Sequence, residues 1–202
     1  MSNRITDITI QKKNKSRINI FINDRYAFSV NSALAAGLKV GDEISRERID
    51  QLKKAGEADK AYHRALYFLK FRPRSRAEIV RYLKEKEFSQ DAINCAVDRL
   101  ETNGLIDDAG FARLFVENRR SFRPKGAYAL RFELRAKGVT DKIIDDVLND
   151  YDENAAARAA LTPKMKQWEH LEKKAFKKKA FDFLRRRGFD YSTCATVIKR
   201  YT

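Results

Sequence analysis

Residues that could perform catalysis or bind a metal are few and scattered in this sequence. The two histidines, His63 and His170, lie on different predicted helices, without ligand spacing to each other or to a cysteine. Cys95 and Cys194 are also isolated and lack the CxxC spacing of zinc and redox sites. We expect both cysteines to be small core residues on the apolar side of their helices. These four residues predict neither a metal site nor a redox site.

Paired carboxylates and glycines do not complete an active site either. Asp107-Asp108 and Asp145-Asp146 resemble acid–base pairs, but a helix N-terminus and an exposed helix face explain them structurally. The eight glycines are scattered at the ends of elements, so no phosphate-binding loop is predicted. Trp168 and the phenylalanines fall at helical spacing and are predicted to be core. We therefore expect no enzyme activity and no cofactor. Metal-dependent hydrolysis abolished by one carboxylate substitution would support the enzyme alternative.

The strongest chemical signal is positive charge. The chain has 43 Lys and Arg against 28 Asp and Glu, a formal net charge of +15. Such an excess indicates a polyanionic partner or an acidic protein surface. Three clusters stand out: Arg72, Arg74 and Arg76; Arg119, Arg120, Arg123 and Lys125; and Lys173, Lys174, Lys177, Lys178, Lys179, Arg185, Arg186 and Arg187. Any one cluster is typical of a solvated face, but together, with few interleaved acids, they predict a binding surface.

A repeat of about fifty residues positions these clusters. The helix-capping residues Ser89, Thr140 and Asp190 are 51 and 50 residues apart. Apolar residues recur in register around each of them: Leu83, Leu134 and Leu184 six residues before, and Val97, Leu148 and Ile198 eight residues after. Such a period is typical of stacked helical units, which would align the first two basic clusters along one edge. Three amphipathic hairpins of one ordinary bundle are the alternative.

The N-terminal region has a different period. Alternating apolar residues from Ile5 to Val30 predict a three-stranded antiparallel meander. Its basic first turn is either a solvated hairpin tip or an anion contact and contains Lys12, Lys13, Lys15 and Arg17. The predicted fold is mainly α: an elongated array of three tandem three-helix repeats, preceded by a small antiparallel β extension. We place the β-meander and a connecting helix at residues 1–57 and the repeats at 58–107, 108–151 and 152–202.

Helix boundaries follow from caps, glycine and proline. Ser45 is predicted to cap a helix that ends at Gly56, followed by a second helix that starts near Asp59 and ends before Pro73. Pro163 is expected either to kink the first helix of the third repeat or to restart it with Thr162 as the cap.

Several short motifs together resemble the RecX regulatory proteins of bacteria. They are Arg72-Pro73-Arg74-Ser75, Gly104-Leu105-Ile106-Asp107-Asp108 followed by Phe111-Ala112, Lys125-Gly126, Lys137-Gly138-Val139 and Arg187-Gly188-Phe189. The resemblance extends from about residue 58 to the C-terminus, and the N-terminal strands resemble an extension that some members carry. Glu87 departs from it, because the other repeats have glycine there. A left-handed backbone at Glu87 would cost about 1 kcal/mol.

The resemblance implies a specific partner. RecX proteins are tandem three-helix repeats that bind the RecA recombinase, lodge in the groove of its filament on DNA, and suppress ATPase and strand exchange. It therefore predicts a regulator of DNA repair and recombination, with the RecA filament and single- or double-stranded DNA as partners. A polar N-terminus and the absence of a long apolar run predict a cytoplasmic protein without a membrane segment, and we expect a monomer. The alternative is a stand-alone DNA- or RNA-binding protein that uses its basic face.

Overall fold

A computed structural model of the protein describes residues 2–12 and 14–201. The chain divides into two compact units. The first holds the residues up to Arg74 together with Glu78–Ile106, and the second holds Ser75–Ala77 together with the residues from Asp107 onward. In the described ranges, no helix is both long enough and apolar enough to cross a membrane.

The first unit begins with the predicted meander. Strands β1 (Ile5–Ile10), β2 (Arg17–Ile22) and β3 (Arg25–Asn31) form an antiparallel sheet in the order β1-β2-β3. Asn23 and Asp24 join the last two strands with φ angles of 48° and 63°, as the tight hairpin turn of two strands requires. The prediction of a small antiparallel β extension is confirmed.

The basic first turn is divided between two roles. Lys12 and Lys15 are exposed, and Lys13 lies outside the described residues. Arg17 instead points inward, where it donates a 2.9 Å hydrogen bond to the carbonyl of Ser29 and lies 3.4 Å from the carboxylate of Asp59. Arg17 therefore ties the sheet to the helix that follows.

A single helix, α1 (Arg46–Leu69), replaces the two helices predicted before Pro73. The predicted stop at Gly56 is wrong, because this glycine serves packing. A Cβ atom there would lie 2.8 Å from both the Ser29 carbonyl and a Val30 methyl carbon, so glycine lets α1 approach β3 closely. The predicted boundary between residues 57 and 58 consequently lies inside α1.

Eight further helices follow in the described part of the chain. They are α2 (Arg76–Glu85), α3 (Gln90–Thr102), α4 (Asp108–Phe122), α5 (Ala127–Ala136), α6 (Asp141–Leu148), α7 (Glu153–Trp168), α8 (Lys173–Arg186) and α9 (Tyr191–Lys199). The core of the first repeat contains Ile79, Leu83 and Val97, and α4–α6 and α7–α9 enclose separate cores of their own. The predicted mainly-α class with three-helix repeats is confirmed.

Helix starts largely follow the predicted caps. The side chains of Ser89, Asp107 and Asp190 accept hydrogen bonds from the backbone N–H three residues later. Thr140 occupies the equivalent position without a side-chain cap bond. In α7, Pro163 lies within one continuous helix, and the Thr162 hydroxyl donates to a carbonyl four residues earlier. The alternative of a restart capped by Thr162 is wrong.

Two sets of contacts in the second unit follow the same plan. In one set, the fully buried Ser75 hydroxyl donates a 2.6 Å hydrogen bond to the carbonyl of Lys137. The backbone N–H of the next residue, Arg76, donates a 2.7 Å bond to the carboxylate of Asp108. Asp108 is the first residue of α4, and Arg76 is the first residue of α2. A side chain at the start of one helix therefore accepts a hydrogen bond from a backbone N–H that has no partner within its own helix.

The second set lies one repeat further along the chain. The backbone N–H of Gly126 donates a 3.0 Å hydrogen bond to the carbonyl of Arg187. The N–H of Ala127, the next residue, donates a 3.1 Å bond to the carboxylate of Glu153, the first residue of α7. Ser75 and Gly126 are 51 residues apart, and so are Arg76 and Ala127. The period of about fifty residues in the sequence therefore also appears in these hydrogen bonds.

Left-handed turns permit both sets of contacts. Gly138 has φ 78°, and a Cβ atom on it would lie 2.2 Å from that of Ala77. Gly188 has φ 82°, and its Cβ would lie 2.4 Å from that of Ala129. Glu87 at the matching turn of the first repeat also has a positive φ, of 61°. The left-handed backbone considered for Glu87 is present and costs about 1 kcal/mol.

Candidate binding surface

The described residues contain no group of three or more His, Cys, Asp or Glu side chains that could hold a metal ion. His63 is exposed on α1, 3.6 Å from the carboxylate of Asp59, and His170 is exposed. Cys194 is buried, as predicted, and burial raises the pKa of its thiol to about 11. Cys95 is exposed, so its predicted place in the core is wrong. Cys95 lines a surface cavity together with Ala55 and Ala58 of α1.

In the first basic cluster, much of the charge already has partners. Arg72 forms a two-pronged ion pair with Glu78, with a shortest distance of 2.9 Å. The guanidinium of Arg74 lies 3.9 Å from the ring centre of Phe68, which stacks on Tyr82. Burial and, secondly, the charge of Arg72 lower the pKa of Arg74. The side chain of Arg76 is exposed.

The second cluster is organised around one acid, Glu133 on α5. Arg119 approaches its carboxylate to 2.9 Å, and Lys125 hydrogen-bonds its other oxygen. Burial acts to raise the pKa of Glu133, but the hydrogen bonds from Lys125 and Arg119 outweigh it and hold the pKa below its usual range. Arg120 pairs with Glu117 at 2.9 Å, and Arg123 is exposed. Most cations of this cluster are therefore paired with carboxylates of their own repeat.

The third cluster is different, because its cations are not neutralised. Phe176, Ala180 and Leu184 bury one side of α8. The remaining surface of the helix is exposed and carries Lys173, Lys174, Lys177, Lys178, Lys179, Arg185 and Arg186. Among the described residues from 152 to 201, no Lys or Arg nitrogen lies within 4.0 Å of a carboxylate oxygen, although ion pairs are frequent in earlier parts of the chain. We call these seven residues the α8 basic face.

Two arginines at the end of α8 also support the fold. Arg185 donates a 2.9 Å hydrogen bond to the carbonyl of Phe189, and Arg187 donates a 3.1 Å bond to the carbonyl of Pro124. The Arg187 guanidinium lies 4.7 Å from the ring centre of Phe183. Burial and the nearby charge of Arg123 lower its pKa. Arg187 is therefore a packing residue, and Arg185 combines an exposed position with a structural bond.

Exposed aromatic side chains accompany the basic clusters, and the sequence analysis missed them. The prediction that the phenylalanines are core residues is wrong for Phe71, Phe122 and Phe132, which are 66%, 82% and 70% exposed. Trp168 is buried, as predicted. Phe71 and Phe122 both stand directly before an Arg-Pro pair that ends a helix. This shared position next to a helix break is the signal that could have identified them.

Fold and surface together define the class: a helical repeat protein whose last described repeat presents an uncompensated basic face. The chain matches the family models for the regulatory protein RecX N-terminal domain at residues 3–45, the first RecX three-helix domain at 61–100 and the second at 107–148. It is 34% identical over 199 residues to "Regulatory protein RecX" of Bacillus subtilis (strain 168), covering 96% of this chain and 75% of that protein. The chain belongs to the RecX family of regulatory proteins.

Another relative and a solved structure also carry the RecX name. The Regulatory protein RecX of Lactobacillus gasseri is 35% identical over 201 residues, covering 97% of this chain and 74% of that protein. A crystal structure of regulatory protein RecX superposes with a TM-score of 0.77 at 26% identity, over 96% of this chain and 98% of that one. The chain thus spans about three quarters of the length of these curated relatives.

Proposed function

We propose that this protein regulates the RecA recombinase by binding the RecA filament on DNA and lowering its ATPase and strand-exchange activities. Membership of a family of regulatory proteins supports a regulatory role. The observation that carries the proposal is the α8 basic face, where seven cations have no carboxylate within 4.0 Å in the described residues 152–201. A filament on DNA is an extended polyanion, and unpaired exposed cations increase the rate of association with such a target.

Binding without bond making or breaking is sufficient for this function. The α8 basic face steers the protein to the filament, and contacts with protomers then favour a filament state that does not hydrolyse ATP. Phe71 and Phe122 suit such contacts, because large exposed aromatic rings anchor protein interfaces when they enter a pocket. Their matching positions in two repeats suit a partner that itself repeats. The action is proposed for the cytoplasm, where RecA works on DNA.

A titration of RecA's DNA-dependent ATPase with this protein tests the proposal. We expect the hydrolysis rate to fall with added protein and to level off once the filament is occupied. A DNA-dependent ATPase unrelated to RecA is the control, since simple masking of DNA would slow both enzymes. An unchanged RecA rate, together with no co-sedimentation of the protein with filaments, would refute the proposed function.

A further inference from the structure

A cluster of exposed aromatic rings lies beside the α8 basic face, within the second unit. Tyr128 and Phe132 are four residues apart on α5, so their side chains share one face of the helix. They are 77% and 70% exposed, and Tyr191 at the start of α9 is 70% exposed. An exposed group of large rings, unlike a single exposed ring, indicates a contact surface.

Contacts within the second unit join these rings to the cations. Tyr128 and Arg185 line one shallow cavity of about 230 Å³, together with Gly188, Phe189 and Asp190. Tyr191 directly follows Asp190, and its ring packs edge-to-face on Phe181 of α8 at 5.2 Å. The aromatic residues of α5 and α9 therefore border the same end of α8.

The neighbouring face of α8 is basic along its length. Lys174, Lys178 and Arg185 recur with Phe181 at intervals of four, three and four residues, so all four occupy one side of the helix. The lysines are exposed and lack a carboxylate partner in the described residues 152–201. Phe181 connects this basic row to Tyr191.

Most of the acids near this surface are already engaged. Asp182 of α8, next to Phe181, is the exception: it is exposed, and no Lys or Arg nitrogen lies within 4.0 Å of it among the described residues. Asp190 accepts hydrogen bonds from the Thr193 backbone N–H at 2.6 Å and from the Ser192 hydroxyl, and the first of these lowers its pKa most. Asp145 and Asp141 of α6 pair with Arg131 and Arg135 of α5. Asp145 and Asp141 are therefore neutralised by arginines, and Asp190 caps the start of α9.

We propose that this surface binds single-stranded nucleic acid: Tyr128, Phe132 and Tyr191 stack on unpaired bases, while Lys174, Lys178 and Arg185 contact the phosphates. Rings alternating with cations match the repeating base and phosphate of a single strand. A duplex offers its phosphates to the cations but keeps its bases stacked inside, so the rings have no partner there. The inference concerns the protein alone and does not depend on binding to RecA.

Fluorescence anisotropy with a labelled oligothymidylate, without RecA, tests this inference. The variant Tyr128→Ala, Phe132→Ala, Tyr191→Ala is expected to bind the single strand at least about fivefold more weakly per ring removed. Its affinity for a duplex of equal length is expected to stay within about twofold, with an unchanged salt dependence. Tyr26→Ala, at a residue 59% exposed on the N-terminal sheet, is the control and is expected to bind as the wild type does.

An oligonucleotide of the same length without bases isolates the stacking. The wild-type protein is expected to prefer oligothymidylate over this abasic strand, and the triple alanine variant to lose that preference. Lys174→Gln, Lys178→Gln is expected to keep the preference while lowering the slope of log affinity against log salt by about 0.7 for each phosphate that the variant no longer neutralises.

Either of two results would overturn the inference. The first is a triple alanine variant that binds oligothymidylate as tightly as the wild type. The second is a triple alanine variant that loses affinity equally for the single strand, the duplex and the abasic strand. If the variant keeps its DNA binding but no longer co-sediments with RecA filaments, the rings contact protein, and the inference is wrong while the proposed function stands.

Discussion

The second and third repeats share a plan but use their basic residues for opposite purposes. The residue before the buried leucine of α5 is Glu133, which holds Arg119 and Lys125. At the matching place before the buried leucine of α8 is Phe183, whose ring packs on Trp168 at 5.5 Å. The acid in one repeat pairs with two cations to build the fold, whereas the aromatic residue in the other packs on a second ring and, among the cations of its cluster, contacts Arg187.

The first repeat supports this comparison. Its residue at the same place is Tyr82, which stacks on Phe68 with ring centres 4.1 Å apart, and Arg74 covers Phe68 from 3.9 Å. The position between the first and second helices of a repeat can therefore be filled by stacked rings or by an ion-pair network. Because the third repeat takes the aromatic solution and has few acids, its cations remain available to a partner.

The largest stability effect is expected from Glu133→Gln. The amide cannot neutralise Arg119 and Lys125, which are both less than one third exposed, so we expect the free energy of unfolding to fall by about 1–3 kcal/mol. Urea denaturation followed by circular dichroism measures this. Glu117→Gln is the matched control, since its pair with Arg120 is more than half exposed, and the change should stay within about 0.5 kcal/mol.

The same residue predicts a pH dependence. The folded protein holds the pKa of Glu133 below its usual value, so the folded state binds this proton less readily than the unfolded state does. Its stabilisation is therefore fully present above about pH 4.3, the usual pKa of glutamate, and is lost as the pH falls through the lower folded pKa. Glu133→Gln should remove this part of the acid dependence. Parallel stability curves for both proteins in acid would contradict the account.

A smaller effect is expected at the left-handed turns. Glu87→Gly in the first repeat relieves a residue at φ 61° and should raise the free energy of unfolding by about 0.5–1 kcal/mol. Gly104→Ala is the control in the same unit. Its φ is 66° with no atom within 4 Å of the added Cβ, so it should lose about 1 kcal/mol from backbone strain alone. A loss of stability in Glu87→Gly would show that the glutamate side chain has a partner that outweighs the strain.

Local patterns predicted much of this fold. Period-two alternation identified the meander, and Ser89, Asp107 and Asp190 identified helix starts, because these signals depend on neighbouring residues. Gly56 was misread because its reason is a contact with Ser29 and Val30 on another element, which spacing along the chain does not reveal. The continuous α1 follows from that tertiary contact.

The candidate surface was predictable in part. Counting charge located the α8 basic face, but charge alone could not separate Lys125, which binds Glu133 eight residues away, from the unpaired Lys178. The exposure of Phe132 and Tyr128 could not be predicted, because α5 carries apolar residues on two sides. Residues on either side recur at helical spacing, so the spacing does not show which side is buried. Only packing decides which side is buried.

The central claim is that the α8 basic face contacts the filament and is more than a solvated surface. Inhibition of the RecA ATPase by the variant Lys174→Glu, Lys177→Glu, Lys178→Glu, Arg186→Glu tests it most directly, with Arg185 kept for its bond to Phe189. The control variant changes the four exposed residues Arg46, Lys53, Lys54 and Lys60 of α1 to Glu, for the same change in net charge. We predict that half-maximal inhibition requires at least about tenfold more of the α8 variant, at unchanged thermal stability, and less than about twofold more of the control. Equal inhibition by both variants would contradict the account.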